Sequence, residues 1–85
     1  MSDLTDQIHN AVENIGLLSP REREVLSGVV DGHSSKVIAY DLGISIRTVE
    51  VHRAGMLRRL GGMSVAQAIR LAVLSEFAAT TFARQ

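Results

Sequence analysis

The chain is expected to fold as an all-α domain, and three observations lead there. Apolar residues recur at spacings of three and four, with no run that alternates at period two as a strand would. Serine, proline and glycine fall at intervals that start and stop helices. The composition is aliphatic, with almost no aromatics and one proline, which suits a compact helical bundle. At 85 residues the chain is long enough for a single core.

The first helix is read from Leu4, Ile8, Ala11, Val12 and Ile15, with Gly16 as its stop; its apolar stripe can pack on the domain or on a partner. Ser19-Pro20-Arg21-Glu22 opens the second. Serine caps it, proline sits in the first turn where its missing N–H is not needed, and Glu22 completes a capping box. Val25, Leu26, Val29 and Val30 form its core face and Gly32 ends it. Ser34 caps a third helix running to Leu42, with Val37, Ile38 and Leu42 turned inward. Ser45 caps a fourth, whose apolar side is Val49, part of His52, Met56, Leu57 and Leu60, and Gly61-Gly62 stops it. Ser64-Val65-Ala66-Gln67 is a second capping box, opening a final helix through Ala68, Ile69, Ala72 and Val73 to about Glu76. This divides the chain into an amphipathic helix or linker (1–16), the domain proper (17–76) and a tail (77–85) that frays or extends the last helix.

Net charge is zero, but its distribution is uneven. Asp3, Asp6, Glu13, Glu22 and Glu24 outweigh Arg21 and Arg23 in the first segment, whereas Lys36, Arg47, Arg53, Arg58 and Arg59 outweigh Asp41 and Glu50 between Ser34 and Leu60. A local basic face on a neutral domain implies modest attraction to polyanions, which a dimer would double. There is no cysteine, and the three histidines lack metal-ligand spacing, so neither a disulfide framework nor a zinc site is expected. Nothing suggests a cofactor. No apolar run is long enough to span a bilayer and Met1-Ser2-Asp3 does not begin a secretory signal, which points to a cytoplasmic protein with no membrane partner. No nucleophile–base pair, glycine-rich phosphate loop or paired carboxylate cluster is visible, so an enzyme is not expected.

The segment from Ser34 to Leu60 reads as a helix-turn-helix. Ala39 is small enough for a second helix to pass close, Gly43 can take the positive φ of a sharp turn, and Val49 is the first buried anchor beyond it. The competing reading is an ordinary helical hairpin, with arginines on a solvated face. Leu18-Ser19-Pro20-Arg21-Glu22-Arg23-Glu24-Val25-Leu26, Gly32, Ile38-Ala39, Leu42-Gly43-Ile44-Ser45, Thr48-Val49, His52, Leu57 and Arg59-Leu60 together resemble the LuxR-type DNA-binding domain of bacterial regulators. The similarity is closest to its FixJ-like branch and covers about Leu17 to Ala72. A four-helix LuxR-type helix-turn-helix domain with an additional N-terminal helix is therefore the expected fold.

That resemblance implies a chain that binds double-stranded DNA as a homodimer and regulates transcription, with the helix at about 45–60 in the major groove. By the same match, Glu50, Val51 and Ala54 occupy the groove-facing, base-reading positions, whereas Lys36, Thr48, His52, Arg53 and Arg59 occupy positions near the phosphate backbone. A glutamate can accept from cytosine N4, and small apolar groups can meet a thymine methyl. Arg58 stands open between contact and solvated face, and Arg21 and Arg23 are read as structural. The final helix offers a strip off the core face, Leu71, Leu74 and Ala78, as the dimer interface that the family commonly builds there. RNA polymerase or a regulatory protein is a further implied partner.

Three departures accompany the resemblance. Glu50 stands where the family commonly has lysine, which calls for a base donor or for an arginine partner such as Arg53 or Arg58. Gly55 replaces a frequent asparagine in mid-helix, allowing close packing or bending. Val37 replaces a glutamate that would strengthen the Ser34 cap. A receiver domain is not contained in the chain, so an excised output domain and a stand-alone regulator are both open, the extra first helix favouring the latter. Two rivals remain. One is a sigma-type promoter-reading region, which shares Arg21 to Leu26 and the turn but not His52. The other is an interaction module that binds and inhibits a related regulator, a reading that zero net charge and Glu50 allow.

Overall fold

The computed structural model describes residues 3–82, with side chains as far as Thr80. Five helices succeed one another: α1 (Leu4–Gly16), α2 (Pro20–Val30), α3 (Ser35–Leu42), α4 (Ile46–Arg59) and α5 (Val65–Phe82), and no strand occurs among the described residues. The caps lie where local chemistry puts them. Ser19 Oγ accepts from the Glu22 N–H while the Glu22 carboxylate accepts from the Ser19 N–H. Ser64 and Gln67 exchange the same pair of bonds ahead of α5. Ser34 and Ser45 accept from Val37 and Thr48. At the α3–α4 turn Gly43 is left-handed, φ 68°, and the Ile44 N–H closes on the Ala39 carbonyl.

α2 runs through the middle and carries two cores. Val25 and Val29 pack with Ile38, Ala39 and Val49, which ties α3 and α4 to one side. Leu26 packs with Leu18, Met56, Leu60 and Ala68 on the other, where α5 closes the domain. α1 turns Ile8 and Ala11 inward and packs chiefly on α5, where Arg70 also donates to the Gln7 side chain at 3.0 Å. Of the stripe that sequence left for the domain or a partner, Ile8 and Ala11 are thus buried and Ile15 half-buried within the chain, whereas Leu4 and Val12 stay exposed.

That packing corrects several expectations. α5 runs to Phe82, beyond Glu76, because no glycine or proline interrupts it after Gly62; residues 83–85 of the expected tail lie outside the described residues. The strip Leu71, Leu74 and Ala78 is not off the core face. Leu71 packs on the Leu26 core, Leu74 is half-buried, and Ala78 is only 8% exposed within the single chain. Among the described residues, the large apolar side chains of α5 left exposed are Val73 and Phe77. Val30 is not core but lines, with Ile15, Leu26, Ala72, Val73 and Phe77, an open groove of about 820 Å³ between α2 and α5. Val37 is exposed, because the phase of α3 that buries Ile38 and Ala39 turns its neighbour outward.

Candidate nucleic-acid interface

α4 is held from beneath and left bare above. Val49, Met56 and Leu60 are buried, Leu57 is half-buried, and Gly55 lies against α2. At about 100° per residue Val49, Met56 and Leu60 define one side of the helix, with Leu57 and Gly55 on its two flanks. The opposite side carries Glu50, Val51 and Ala54, all exposed, Val51 at 62%. Arg47 and Arg58 are exposed there too, and Lys36 is exposed on the first turn of α3. The structure thus brings the three sequence-assigned base-reading positions together on one solvent-facing surface.

The positions assigned to the backbone divide. His52 and Arg53 are half-buried on opposite flanks of α4, and neither makes a salt bridge among the described residues. Thr48 is half-buried, and its Oγ1 lies 2.7 Å from Ser45 Oγ, so its hydroxyl belongs to the helix cap. Arg59 is engaged inside the chain. Its Nε donates to Glu22 Oε2 at 3.1 Å and lies 2.9 Å from Oε1 in a salt bridge, although its side chain remains 57% exposed.

Glu22 is the buried acid of the domain, 5% exposed. Burial raises its carboxyl, but the Ser19 N–H, the Arg59 guanidinium and the Ser19 hydroxyl more than offset that, and its pKa falls below the ordinary carboxylate value. A Cβ at Gly55 would stand 2.9 Å from Glu22 Oε2. The mid-helix glycine that the sequence left between bending and close packing therefore serves close packing, making room for the carboxylate that joins the start of α2 to the end of α4.

The salt bridges among the described residues are Arg21–Glu24 at 2.9 Å, His33–Asp41 at 4.0 Å and Arg59–Glu22. None involves Lys36, Arg47, Glu50, Arg53 or Arg58. Glu50 therefore has neither arginine partner that sequence offered it, and the cations on the open side of α4 have no carboxylate partner among the described residues. Arg21 pairs along α2, and Arg23 donates to the Gly16 carbonyl at 3.3 Å, both structural contacts.

Sequence reasoning counted Arg47 in the basic segment without giving it a contact and left Arg58 open, although the spacing 47, 51, 54, 58 places both on the face of Val51 and Ala54. It also missed Gly28, where a Cβ would lie 2.6 Å from Ile38 Cγ1. That close approach seats α3 on α2, and nothing local in the sequence signals it.

Residues 16–72 match the family model of bacterial regulatory proteins of the LuxR family. The chain is 48% identical over 63 residues to the transcriptional regulatory protein FixJ of Azorhizobium caulinodans, covering 74% of this chain and 30% of that protein. It is 44% identical over 72 residues to FixJ of Rhizobium meliloti, covering 85% and 35%. The crystal structure of full-length FixJ from B. japonicum is similar with a TM-score of 0.73 at 34% identity, over 86% of this chain and 37% of that one. The chain spans about a third of the length of these relatives.

Proposed function

The chain belongs to the LuxR family of bacterial regulatory proteins and carries its transcription-regulating DNA-binding domain, and from that premise we propose that it binds duplex DNA sequence-specifically as a dimer, with α4 in the major groove. One observation carries this reading. The second helix of the turn motif leaves a whole side uncovered, bearing Glu50, Val51 and Ala54 between unpaired arginines. A helix about 10–12 Å across fits a groove about 12 Å wide.

In this mechanism Lys36, Arg53 and the free amino groups of Arg59 hold phosphates, and His52 braces the helix beside them. Val51 and Ala54 offer apolar contact to thymine methyls, and Glu50 accepts from a cytosine amino group. Two copies place two α4 helices about one turn of DNA apart. The dimer forms through the uncovered face of α5, Val73 and Phe77, in place of the strip that α1 and the core cover. The sites of action are promoters in the bacterial cytoplasm, where RNA polymerase or a regulatory protein meets faces turned away from DNA.

A salt series tests this. Duplex affinity should fall steeply as salt rises, with a log–log slope of about −0.9 per phosphate contact. Absence of duplex binding at low salt, or affinity indifferent to salt, overturns the reading.

A further inference from the structure

We propose that Arg47 reads the edge of a guanine, as a fourth base-reading side chain beside Glu50, Val51 and Ala54. The inference rests on α4 being the groove helix and adds to it a base identity.

Arg47 is the second residue of α4, at the end of a recognition helix that meets base edges. Its phase is central. Ala54 and Arg58 lie within about 20° of it around the helix axis, Val51 about 40° to one side and Glu50 about 60° to the other. Elsewhere in the first turn Ile46 is apolar, Val49 is buried and Thr48 is half-buried with its hydroxyl paired to Ser45, so Arg47 is the exposed, long-reaching hydrogen-bond donor among these side chains. Arg47 is exposed and in no salt bridge among the described residues, even though Glu50 stands one turn away at i+3.

The chemistry selects the base. Two parallel N–H groups of a guanidinium match O6 and N7 of guanine, an acceptor pair that no other base presents in the major groove. Glu50 is its complement, an acceptor for the amino group of a cytosine. The two neighbours thus suit a G·C-containing step, and Arg47 offsets the repulsion between Glu50 and the phosphates. Arg58 has the same phase but lies about 16 Å further along the axis, beyond the reading end, where it meets phosphate.

The test uses the full chain, as wild type, Arg47→Ala and Arg58→Ala, each selecting duplexes from a random pool. The preferred duplex is then titrated with its selected guanine intact or replaced by 7-deazaguanine, which lacks the N7 acceptor. Wild type should require guanine at one position of each half-site and bind the 7-deazaguanine duplex more weakly. Arg47→Ala should bind the preferred duplex roughly ten- to a hundredfold more weakly, accept other bases at that position and ignore the 7-deaza change. Arg58→Ala should weaken binding to every duplex alike and reduce the salt slope by about one. If Arg47→Ala keeps the guanine requirement, or loses affinity equally on all duplexes, Arg47 is not a base reader while α4 remains the groove helix. If wild type itself selects no sequence, the α4 reading and this inference fall together.

Discussion

Replacing Gly28 by alanine sets two physical effects against each other with opposite signs. In mid-helix, alanine should stabilise by about 1 kcal/mol over glycine. Here the new Cβ would stand 2.6 Å from Ile38 Cγ1 and 2.9 Å from Cδ1, where carbon atoms settle at about 3.5–4.0 Å. Ile38 cannot step aside. It is β-branched and stiff at χ1, 2% exposed, and backed by Val25, Val29, Ala39 and Val49. α3 must therefore move off α2 by about 1 Å, and overpacking of this kind costs about 1–3 kcal/mol. With two atoms in collision the upper end applies, so the net loss is about 2 kcal/mol, or a Tm lower by about 8–16 °C in a domain of this size. Thermal and urea unfolding followed by far-UV circular dichroism measure it. Gly16→Ala is the control, because nothing lies within 4 Å of its new Cβ and its φ is not positive; it should hold or raise Tm. Combining Gly28→Ala with Ile38→Ala should cost less than the sum of the two, because the clash partner is gone. A Gly28→Ala protein as stable as Gly16→Ala would refute the close α2–α3 contact.

The same packing sets three other outcomes. Glu22 has a depressed pKa when folded, so its stabilisation is complete above the unfolded value, about 4.3, and is lost as pH falls through the lower folded value. Glu22→Gln should lower Tm at neutral pH and flatten the acid limb of Tm against pH; an unchanged limb contradicts the assignment. Arg59→Ala should lower Tm as well as duplex affinity, by about 1 kcal/mol of stability once solvent screening of its exposed end is allowed for, and a Tm equal to wild type would show that the ion pair contributes nothing. Phe77→Glu should halve the mass seen by sedimentation at equal Tm, and a dimer that survives places the interface elsewhere than the open face of α5.

Short-range chemistry made most of the fold legible. The Ser19–Glu22 and Ser64–Gln67 boxes, the Ser34 and Ser45 caps and the left-handed Gly43 each depend on residues within a few positions of one another. What stayed hidden depends on distance along the chain. Arg59 meets Glu22 across 37 residues, and no local pattern distinguishes that arginine from one facing solvent. The strip Leu71, Leu74 and Ala78 has the spacing of a free apolar face, but where α1 folds back is a tertiary choice that periodicity does not encode. Val30 and Val37 were one step out of phase for the same reason, since a stripe's width on a helix says little about where its neighbour's edge will fall. At the candidate site, the exposure of Glu50, Val51 and Ala54 was legible, because it results from the burial of Val49, Met56 and Leu60. Arg47 lies on the same face and was legible from the spacing alone, but the family resemblance assigned the reading positions further along the helix.

The most direct test of α4 as the DNA-reading surface is to monitor backbone amide chemical shifts while a selected duplex is titrated into the labelled chain. The largest changes should fall between Ser45 and Arg58 and on the first turn of α3 around Lys36, with the α2–α5 groove at Val30, Val73 and Phe77 unmoved by DNA. Changes centred on that groove, with α4 silent, would contradict a groove-reading role for α4.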